Sequence, residues 1–243
     1  MSEPIPVTEK PAESGAGWAS ETKEFLKAVL WAVLIAVFLR SFVVEAYKIP
    51  SGSMLPTLEI GDHIFVNKFL YGFMVPFTTK KFLMWRDPVR GEVIVFKNPQ
   101  DVSKDFIKRV IGEPGDVIDI RDNELYVNDV VVPTELIGPS TVNEDCQERE
   151  VQKFVEHLDS GIDHFKVHQP MRNFSGGPFV VPEGELFVMG DNRDNSQDSS
   201  RAHFTVPLEN VKGRAMFVWL SWNSCGDWPT EKIRFERVGE GVR

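Results

Sequence analysis

The ten residues Ile49–Leu58, IPSGSMLPTL, separate two parts of the chain that differ in character. Before them lies the only long apolar segment, and after them short strand-like runs alternate with turn residues. The two prolines fix φ and remove a backbone donor, and Gly52 permits conformations that other residues avoid. The ten residues are therefore predicted to form an irregular turn. Taken alone, Ser51 and Ser53 fit either a plain turn or a site from which a nucleophile projects.

The apolar segment Phe25–Val44 has the sequence FLKAVLWAVLIAVFLRSFVV. At a rise of about 1.5 Å per residue, a helix of this length reaches roughly 30 Å, enough to cross the hydrocarbon core of a bilayer. From Ala28 to Leu39 it is apolar on every face, which favours lipid over a buried core position. We predict a single transmembrane helix at residues 25–46, preceded by a disordered polar tail at residues 1–24.

Beyond the turn, the sequence is typical of an all-β domain. We predict a mainly β fold, with a β domain at residues 47–243 and an inserted irregular or β subdomain at about residues 119–183. Within the insertion, Glu148–Leu158 is predicted to be a short helix. The clearest strand predictions are Asp62–Asn67, Glu92–Lys97, Asp105–Ile111, Asp116–Ile120, Leu125–Val127 and Leu186–Met189.

Charge and cysteine content limit the classes of function. The net charge of -9 and the pI near 5.1 argue against a nucleic-acid partner, because phosphate binding requires a basic face. Cys146 and Cys225 are the only cysteines, too few for a disulfide framework. They could pair in an oxidising compartment, but nothing in the sequence brings them together, so two unpaired thiols are predicted.

Two groups of residues have weak metal-binding patterns. Acidic residues recur in Gly190–Arg201, but their spacing differs from that of an EF-hand loop, and two arginines in the segment favour internal ion pairs. His157, His164 and His168 have a loose zinc-like spacing that no cysteine or carboxylate cluster completes. We predict no metal and no other cofactor.

A candidate base lies in Phe106–Ile111, FIKRVI. Strand alternation places Lys108 and Arg109 on opposite faces, so one of the two cations shares a face with apolar neighbours. A lysine on an apolar face loses solvation, which lowers its pKa, and the neutral amine can accept a proton from a serine hydroxyl. The alternative is an ordinary surface lysine.

Five segments, in order and with family-like spacing, resemble the signature boxes of type I signal peptidases. The resemblance covers about Lys23–Ile118 and Val181–Ser221. The five segments are PSGSM (50–54), GDHIFVNKF (61–69), RGEVIVFK (90–97), FIKRVIGEPGD (106–116) and GDNRDNSQDS (190–199).

This resemblance implies a membrane-bound serine endopeptidase that removes N-terminal signal peptides from exported preproteins at Ala-x-Ala-like sites with a Ser/Lys dyad. It implies a location in the bacterial inner (cytoplasmic) membrane, with a cytoplasmic N-terminus and an extracytoplasmic catalytic domain. Preproteins and membrane lipid are the expected partners, and the enzyme is expected to be monomeric.

The resemblance also implies residue roles. Ser53 corresponds to the nucleophile and Lys108 to the general base. The hydroxyl of Ser51 and the backbone N–H of Ser53 correspond to the oxyanion hole. Ser196 corresponds to a serine that hydrogen-bonds and orients the lysine amine, and Asp198 to a supporting carboxylate.

By the same matching, two shallow apolar pockets accept small substrate side chains. The pocket for the residue before the scissile bond is lined by Ile49, Pro50, Met54, Leu58, Phe106 and Ile107. The pocket for the residue two positions earlier is lined by Tyr47, Ile64, Val95, Asp105 and Ile107.

The last box departs from the family pattern, which has Asp-Ser-Arg where this chain has Asp-Ser-Ser-Arg at residues 198–201. The extra residue leaves open whether Arg201 pairs with Asp191 or Asp198. Two other functions are conceivable: a scaffold that lost activity, and a Ser/His/Asp hydrolase that uses His63 or His203.

The aromatic segment Tyr71–Trp85 fits either a core hairpin or a loop that dips into the bilayer, and the resemblance favours the loop.

Overall fold

A computed structural model of the chain describes residues 16–42, 44–74, 81–84, 86–226, 228 and 232–243. The chain divides into two compact units, Met1–Arg40 and Ser41–Arg243. Most of the side chains of the segment Tyr71–Trp85 lie outside the described residues, so the two interpretations of that segment stay predictions.

Helix α1 spans Ala16–Phe42, so it begins and ends earlier than predicted. The predicted disorder of residues 16–24 is wrong, because the two alanines, two glutamates and one lysine there have high helix propensity and extend the apolar helix. Residues 1–15 lie outside the described residues. Residues 21–37 are exposed, and a search of the described residues finds no helix that is long and apolar enough to cross a membrane.

The second unit is mainly β, as predicted. Strand β1 begins at Val44, so the last three residues of the predicted helix, 44–46, are extended. The described strands are β1 (Val44–Lys48), β2 (Asp62–Asn67), β3 (Phe73–Met74), β4 (Lys81–Leu83), β5 (Val93–Asn98), β6 (Asp101–Gly112), β7 (Val117–Arg121), β8 (Glu124–Val127), β9 (Val130–Val131), β10 (Thr134–Glu144), β11 (Gln147–His157), β12 (Asp163–His168), β13 (Gly176–Val180), β14 (Glu185–Met189), β15 (Val206–Pro207) and β16 (Val211–Ser221). Short helices are α2 (Ser199–Ala202) and the 3₁₀ turns Gly52–Met54, Phe69–Tyr71, Leu208–Asn210 and Phe235–Arg237.

A seven-stranded sheet with the order β1-β2-β16-β5-β6-β14-β15 is the largest described sheet. A three-stranded sheet has the order β10-β11-β12, a four-stranded sheet has the order β13-β7-β8-β9, and β3 pairs with β4. The three-stranded and four-stranded sheets occupy most of the predicted insertion at about residues 119–183. The boundaries of this insertion remain a prediction.

The burial of side chains follows strand alternation in the large sheet. In β2, Ile64 and Val66 are buried, while the alternate residues His63, Phe65 and Asn67 are partly exposed. Strand β5 lies centrally and is buried on both faces: Val95 packs into one hydrophobic cluster, and Phe96 packs into another. Because successive side chains of a strand point to opposite faces, these two clusters lie on opposite sides of the sheet.

The predicted helix at Glu148–Leu158 is wrong, because these residues fall in or directly after β11. Their glutamates, arginine and lysine favour a helix by propensity, but β11 is the central strand of its sheet and pairs with β10 and β12. Val151 is buried in a hydrophobic cluster, so tertiary packing decides the conformation.

The prediction of unpaired thiols is also wrong. Cys146 and Cys225 form a disulfide with a Cα–Cα distance of 5.4 Å across 79 residues of sequence. Cys146 lies at the tip of the β10–β11 hairpin, and Cys225 lies in the segment after β16. Only the tertiary fold brings these two segments together, which is why spacing alone could not predict the pair.

Candidate active site

The predicted irregular turn is a 3₁₀ turn at Gly52–Met54 between β1 and β2. Its flanks are fixed by backbone hydrogen bonds, since Ile49 N donates to Asp62 O at 2.8 Å and Gly61 N donates to Ile49 O at 2.9 Å. The side chain of Ser53 in this turn is buried. The turn therefore holds Ser53 at a fixed place beside the large sheet.

The structure brings Ser53 and Lys108 together. Lys108 Nζ lies 2.6 Å from Ser53 Oγ, and it also donates to the carbonyl oxygen of Ile107 at 2.8 Å. Lys108 is 5 % exposed, and its Nζ lies 5.5 Å from the centre of the Phe106 ring. The apolar environment predicted for one of the two cations of β6 is thus found at Lys108.

Burial lowers the pKa of Lys108 to about 8, although the charges of Asp198 and Asp191 favour the ammonium form. Desolvation disfavours a charge inside the protein, and it outweighs the two carboxylates here. A substantial fraction of Lys108 is therefore neutral slightly above neutral pH and can accept a proton.

A buried ion pair lies behind the dyad. Arg109 Nε and Nη2 donate to the two carboxylate oxygens of Asp191 at 2.8 and 2.6 Å, and Thr57 Oγ1 donates to the same carboxylate. Burial opposes the charge on Asp191, but the Arg109 guanidinium outweighs it and lowers the pKa of the carboxyl. These contacts connect β6, the segment just after the Gly52–Met54 turn, and the loop after β14.

Asp198 caps helix α2 and does not contact Lys108 directly. Its carboxylate accepts from Gly190 N at 2.9 Å, from Ser200 N at 3.2 Å and from Ser200 Oγ at 2.7 Å. Asp198 thus fixes the loop and acts on Lys108 through its charge.

The predicted hydrogen bond between Ser196 and Lys108 is not formed. Ser196 Oγ is buried without a hydrogen-bond partner among the described residues, and the amine instead contacts Ser53 Oγ and the carbonyl of Ile107. Ser196 nevertheless lies next to the site, since a Cβ added to Gly190 would be 2.4 Å from both Ser196 Oγ and the carbonyl oxygen of Ser53.

Arg201 pairs with neither of its two predicted partners. It donates to Asp194 Oδ1 and to the carbonyl oxygen of Arg193, both at 3.1 Å. Asp191 is already paired with Arg109, and Asp198 caps α2.

Two donors of the predicted oxyanion hole are available at the nucleophile turn. The N–H of Ser53 falls in the first turn of a 3₁₀ helix, where a backbone donor has no acceptor within the helix. Ser51 is exposed at the N-cap position, and its hydroxyl makes no capping hydrogen bond.

Most of the predicted pocket residues meet in one hydrophobic cluster. Three do not. Phe106 packs on the opposite face of the sheet, where its ring centre lies 6.3 Å from that of Phe96. Asp105 pairs with Lys212 at 2.6 Å, and Pro50 is exposed. The residues that the structure brings together are Tyr47, Ile49, Met54, Leu58, Ile64, Val95 and Ile107.

The histidines lie in other contacts. The ring of His63 is 5.6 Å from that of Trp219, and the ring of His203 is 5.9 Å from that of Phe179. Each of the remaining three lies beside a carboxylate: His157 beside Asp163, His164 beside Glu156 and His168 beside Asp194. Within the part of the chain that the structure describes, no group of acidic, histidine or cysteine side chains could hold a metal ion.

Sequence reasoning missed Glu144 and Asn192. Asn192 Nδ2 donates to Gly52 O at 3.0 Å and to Glu144 Oε1 at 3.2 Å, so both residues belong to the surroundings of the nucleophile. Asn192 stands inside a recognised box, but Glu144 lies in the insertion, where the sequence gives no sign of proximity to Ser53.

A serine hydroxyl in contact with a buried amine, on a mainly β fold, is typical of serine hydrolases that use a base other than histidine. The family model "Signal peptidase, peptidase S26" matches residues 22–222, and the chain belongs to this family of peptidases.

The chain is 40% identical over 232 residues to signal peptidase I of Pseudomonas fluorescens, with 89% of this chain and 78% of the relative covered. It is 39% identical over 235 residues to signal peptidase I of Pseudomonas aeruginosa, with the same coverage. A crystal structure of a signal peptidase I from Enterococcus faecalis is similar at 28% identity and a TM-score of 0.33, covering 53% of this chain and 97% of that one.

Proposed function

We propose that the protein is a membrane-bound serine endopeptidase that removes N-terminal signal peptides from exported preproteins, with Ser53 as nucleophile and Lys108 as general base. The observation that carries this proposal is the contact of 2.6 Å between the Lys108 amine and the Ser53 hydroxyl. Burial of the amine lowers its pKa to about 8, which supplies a base of suitable strength.

In the first half of the reaction, Ser53 Oγ attacks the carbonyl carbon of the scissile bond while Lys108 takes its proton. The negative charge that develops on the carbonyl oxygen is stabilised by the N–H of Ser53 and the hydroxyl of Ser51. Lys108 then gives the proton to the departing amine, and an acyl ester remains on Ser53. A water molecule attacks this ester, again with Lys108 as base, and Ser53 is released.

The exposed edge of β6 supports binding of an extended peptide. Strand β5 pairs with β6 along Asp101–Arg109, whereas β14 pairs only with Arg109–Gly112. Among the described strands, none covers the other edge at residues 101–108, so a substrate strand could add there. The tightly packed cluster around Met54 and Leu58 favours small residues such as alanine at the two specificity positions.

We also propose that α1 anchors the enzyme in the inner (cytoplasmic) membrane with its N-terminus in the cytoplasm and the catalytic domain outside it. The disulfide supports an oxidising, extracytoplasmic location for the β domain. Trp219 and Phe217 are each 37 % exposed near Phe65 on one face of β2 and β16, and this aromatic surface suits the membrane–water interface. We expect the enzyme to act as a monomer.

The test is cleavage of a preprotein with an Ala-x-Ala site by the full-length protein in detergent, followed by mass measurement of the products. We expect a single cut after the second alanine, and loss of that cut when this alanine is changed to phenylalanine. Cleavage at unrelated sites, or equal cleavage of the phenylalanine substrate, would contradict the proposed specificity.

A further inference from the structure

The tip of the β10–β11 hairpin contacts the turn Gly52–Met54, which carries Ser53. Glu144, the last residue of β10, is buried, although the residues that follow it in the hairpin are exposed. Its carboxylate accepts hydrogen bonds from the side-chain amides of Asn192 and Asn195. The Glu144 carboxylate thus connects the hairpin tip to the loop that carries Ser196 and Asp198.

Asn192 connects this carboxylate to the backbone on both sides of the nucleophile's N–H. Its Nδ2 donates to the carbonyl oxygen of Gly52 at 3.0 Å and to Glu144 Oε1 at 3.2 Å, so both of its amide hydrogens are used. Its backbone N donates to the carbonyl oxygen of Ser53 at 3.1 Å. The orientation of the peptide between Gly52 and Ser53, whose N–H is the proposed oxyanion donor, therefore depends on Asn192.

Glu144 also packs directly against the turn. A Cβ added to Gly52 would lie 2.8 Å from Glu144 Oε1 and 2.8 Å from Leu55 Cδ1. Glycine at this position lets the carboxylate approach the turn closely. The contact and the Asn192 hydrogen bonds together restrict movement of the turn from one side.

The hairpin tip is itself held in place. Arg149 Nε, from β11, contacts Glu144 Oε2 at 2.9 Å. Two residues after Glu144, Cys146 is joined by the disulfide to Cys225. The Glu144 carboxylate can hold the Gly52–Met54 turn only if the hairpin itself stays in place. The disulfide restrains the hairpin in this way.

We propose that Glu144 is a positioning residue for catalysis: through Asn192 it orients the Gly52–Ser53 peptide of the oxyanion hole, and the Cys146–Cys225 disulfide holds it there. This inference rests on the proposed role of Ser53. It assigns a catalytic purpose to a hairpin in the insertion and to a disulfide, neither of which belongs to the recognised boxes. The oxyanion forms only in the transition state, so a misplaced donor lowers kcat and leaves KM nearly unchanged.

The test measures kcat and KM of full-length variants on one preprotein at a temperature well below the Tm of each variant. We expect Glu144→Ala to lower kcat about tenfold or more, with KM changed less than about twofold. Glu144→Gln keeps an acceptor for both asparagine amides and should retain most of the wild-type kcat. Glu148→Ala removes an exposed glutamate from the same hairpin and is the matched control, with no change expected.

A double-mutant cycle separates positioning from general loosening. Gly52→Ala introduces the Cβ that meets Glu144, so its loss of kcat should be smaller in the Glu144→Ala background than in the wild-type background. If the losses of kcat caused by Gly52→Ala and Glu144→Ala are fully additive, direct contact between Glu144 and the turn is not the cause of the effect.

The last set of variants tests the role of the disulfide. We expect the double variant Cys146→Ser, Cys225→Ser to lower kcat about threefold, and to cause no further loss when combined with Glu144→Ala. A wild-type kcat in Glu144→Ala overturns the inference, and a wild-type kcat in the double serine variant overturns the role of the disulfide. Ser53→Ala is measured in parallel, because activity in that variant would refute the proposed function itself rather than the role of Glu144.

Discussion

Lys108, the proposed general base, contacts the hydroxyl of Ser53 and has a pKa lowered to about 8. Its amine is buried beside Ser53, and desolvation rather than a neighbouring cation lowers its pKa. The carboxylates of Asp198 and Asp191 act in the opposite sense and keep the pKa from falling further. The balance between burial and these two charges sets the pH range of the enzyme.

The pH dependence follows from this balance. Only the neutral amine accepts a proton, so kcat/KM should rise with pH on the acid side and level off above about pH 8. The measurement is a profile of kcat/KM from about pH 6 to about pH 10 in the full-length enzyme. A profile that levels off already near pH 6.5, the reference pKa of histidine, would contradict a lysine base.

Asp198→Asn should shift that profile. Removing a negative charge that favours the ammonium form lowers the pKa of Lys108, so the acid limb moves to lower pH. Asparagine also weakens the hydrogen bond from Gly190 N, at a cost of about 1 kcal/mol in stability. Asp129→Asn, which changes an exposed carboxylate, is the control and should leave the limb in place. A shift of the limb to higher pH in Asp198→Asn would refute the electrostatic argument.

At the level of elements, strands rich in β-branched and aromatic residues could be predicted, and strands rich in charged residues could not. Strand β2 contains the run Ile64–Val66, and β6 contains Phe106–Ile111 with Lys108 at its centre, so both were predicted as strands. The sequence of β11 is rich in helix-forming charged residues, and it becomes a strand only because β10 and β12 flank it. Local propensity cannot report such pairing.

The candidate site, like the strands, could be predicted only in part from the sequence. The boxes identified Ser53 and Lys108, and the structure places them in contact. Ser196 Oγ has no hydrogen-bond partner in the part of the chain that the structure describes, and Arg201 pairs with Asp194. Both features depend on the path of one loop, which spacing does not determine. Glu144 could not be found, because its position depends on a hairpin from another sheet.

The disulfide between the β10–β11 hairpin and the segment after β16 should stabilise the β domain. It closes a loop of 79 residues, and restricting an unfolded loop of that size contributes about 2–4 kcal/mol. The double variant Cys146→Ser, Cys225→Ser should therefore unfold at a lower Tm in thermal denaturation, and wild type under reducing conditions should match it. An unchanged Tm in both would contradict this contribution.

At the scale of the whole molecule, the aromatic surface on β2 and β16 is expected to matter only when a bilayer is present. Trp219 stacks on Phe65 and is partly exposed, so Trp219→Ser should leave cleavage in detergent nearly unchanged. In lipid vesicles the same variant should be slower, by about threefold or more, because interfacial aromatic side chains are lost. Equal effects in detergent and vesicles would indicate a folding role instead of contact with lipid.

The catalytic arrangement is assembled from parts of the chain that lie far apart in sequence: the turn at Gly52–Met54, strand β6 and the loop after β14. The buried pair of Arg109 and Asp191 connects these parts, and the seven-stranded sheet supports them. We propose that these parts together hold one serine and one neutral lysine in contact.

The most direct test is the rate of preprotein cleavage by Ser53→Ala and Lys108→Ala, each shown to be folded by its thermal unfolding transition. We predict that both variants lose activity by about a thousandfold or more, while Arg121→Ala, which removes an exposed cation from β7, cleaves like wild type. A folded Lys108→Ala enzyme that retains more than about a tenth of the wild-type rate would contradict the account, because another group would then be the base.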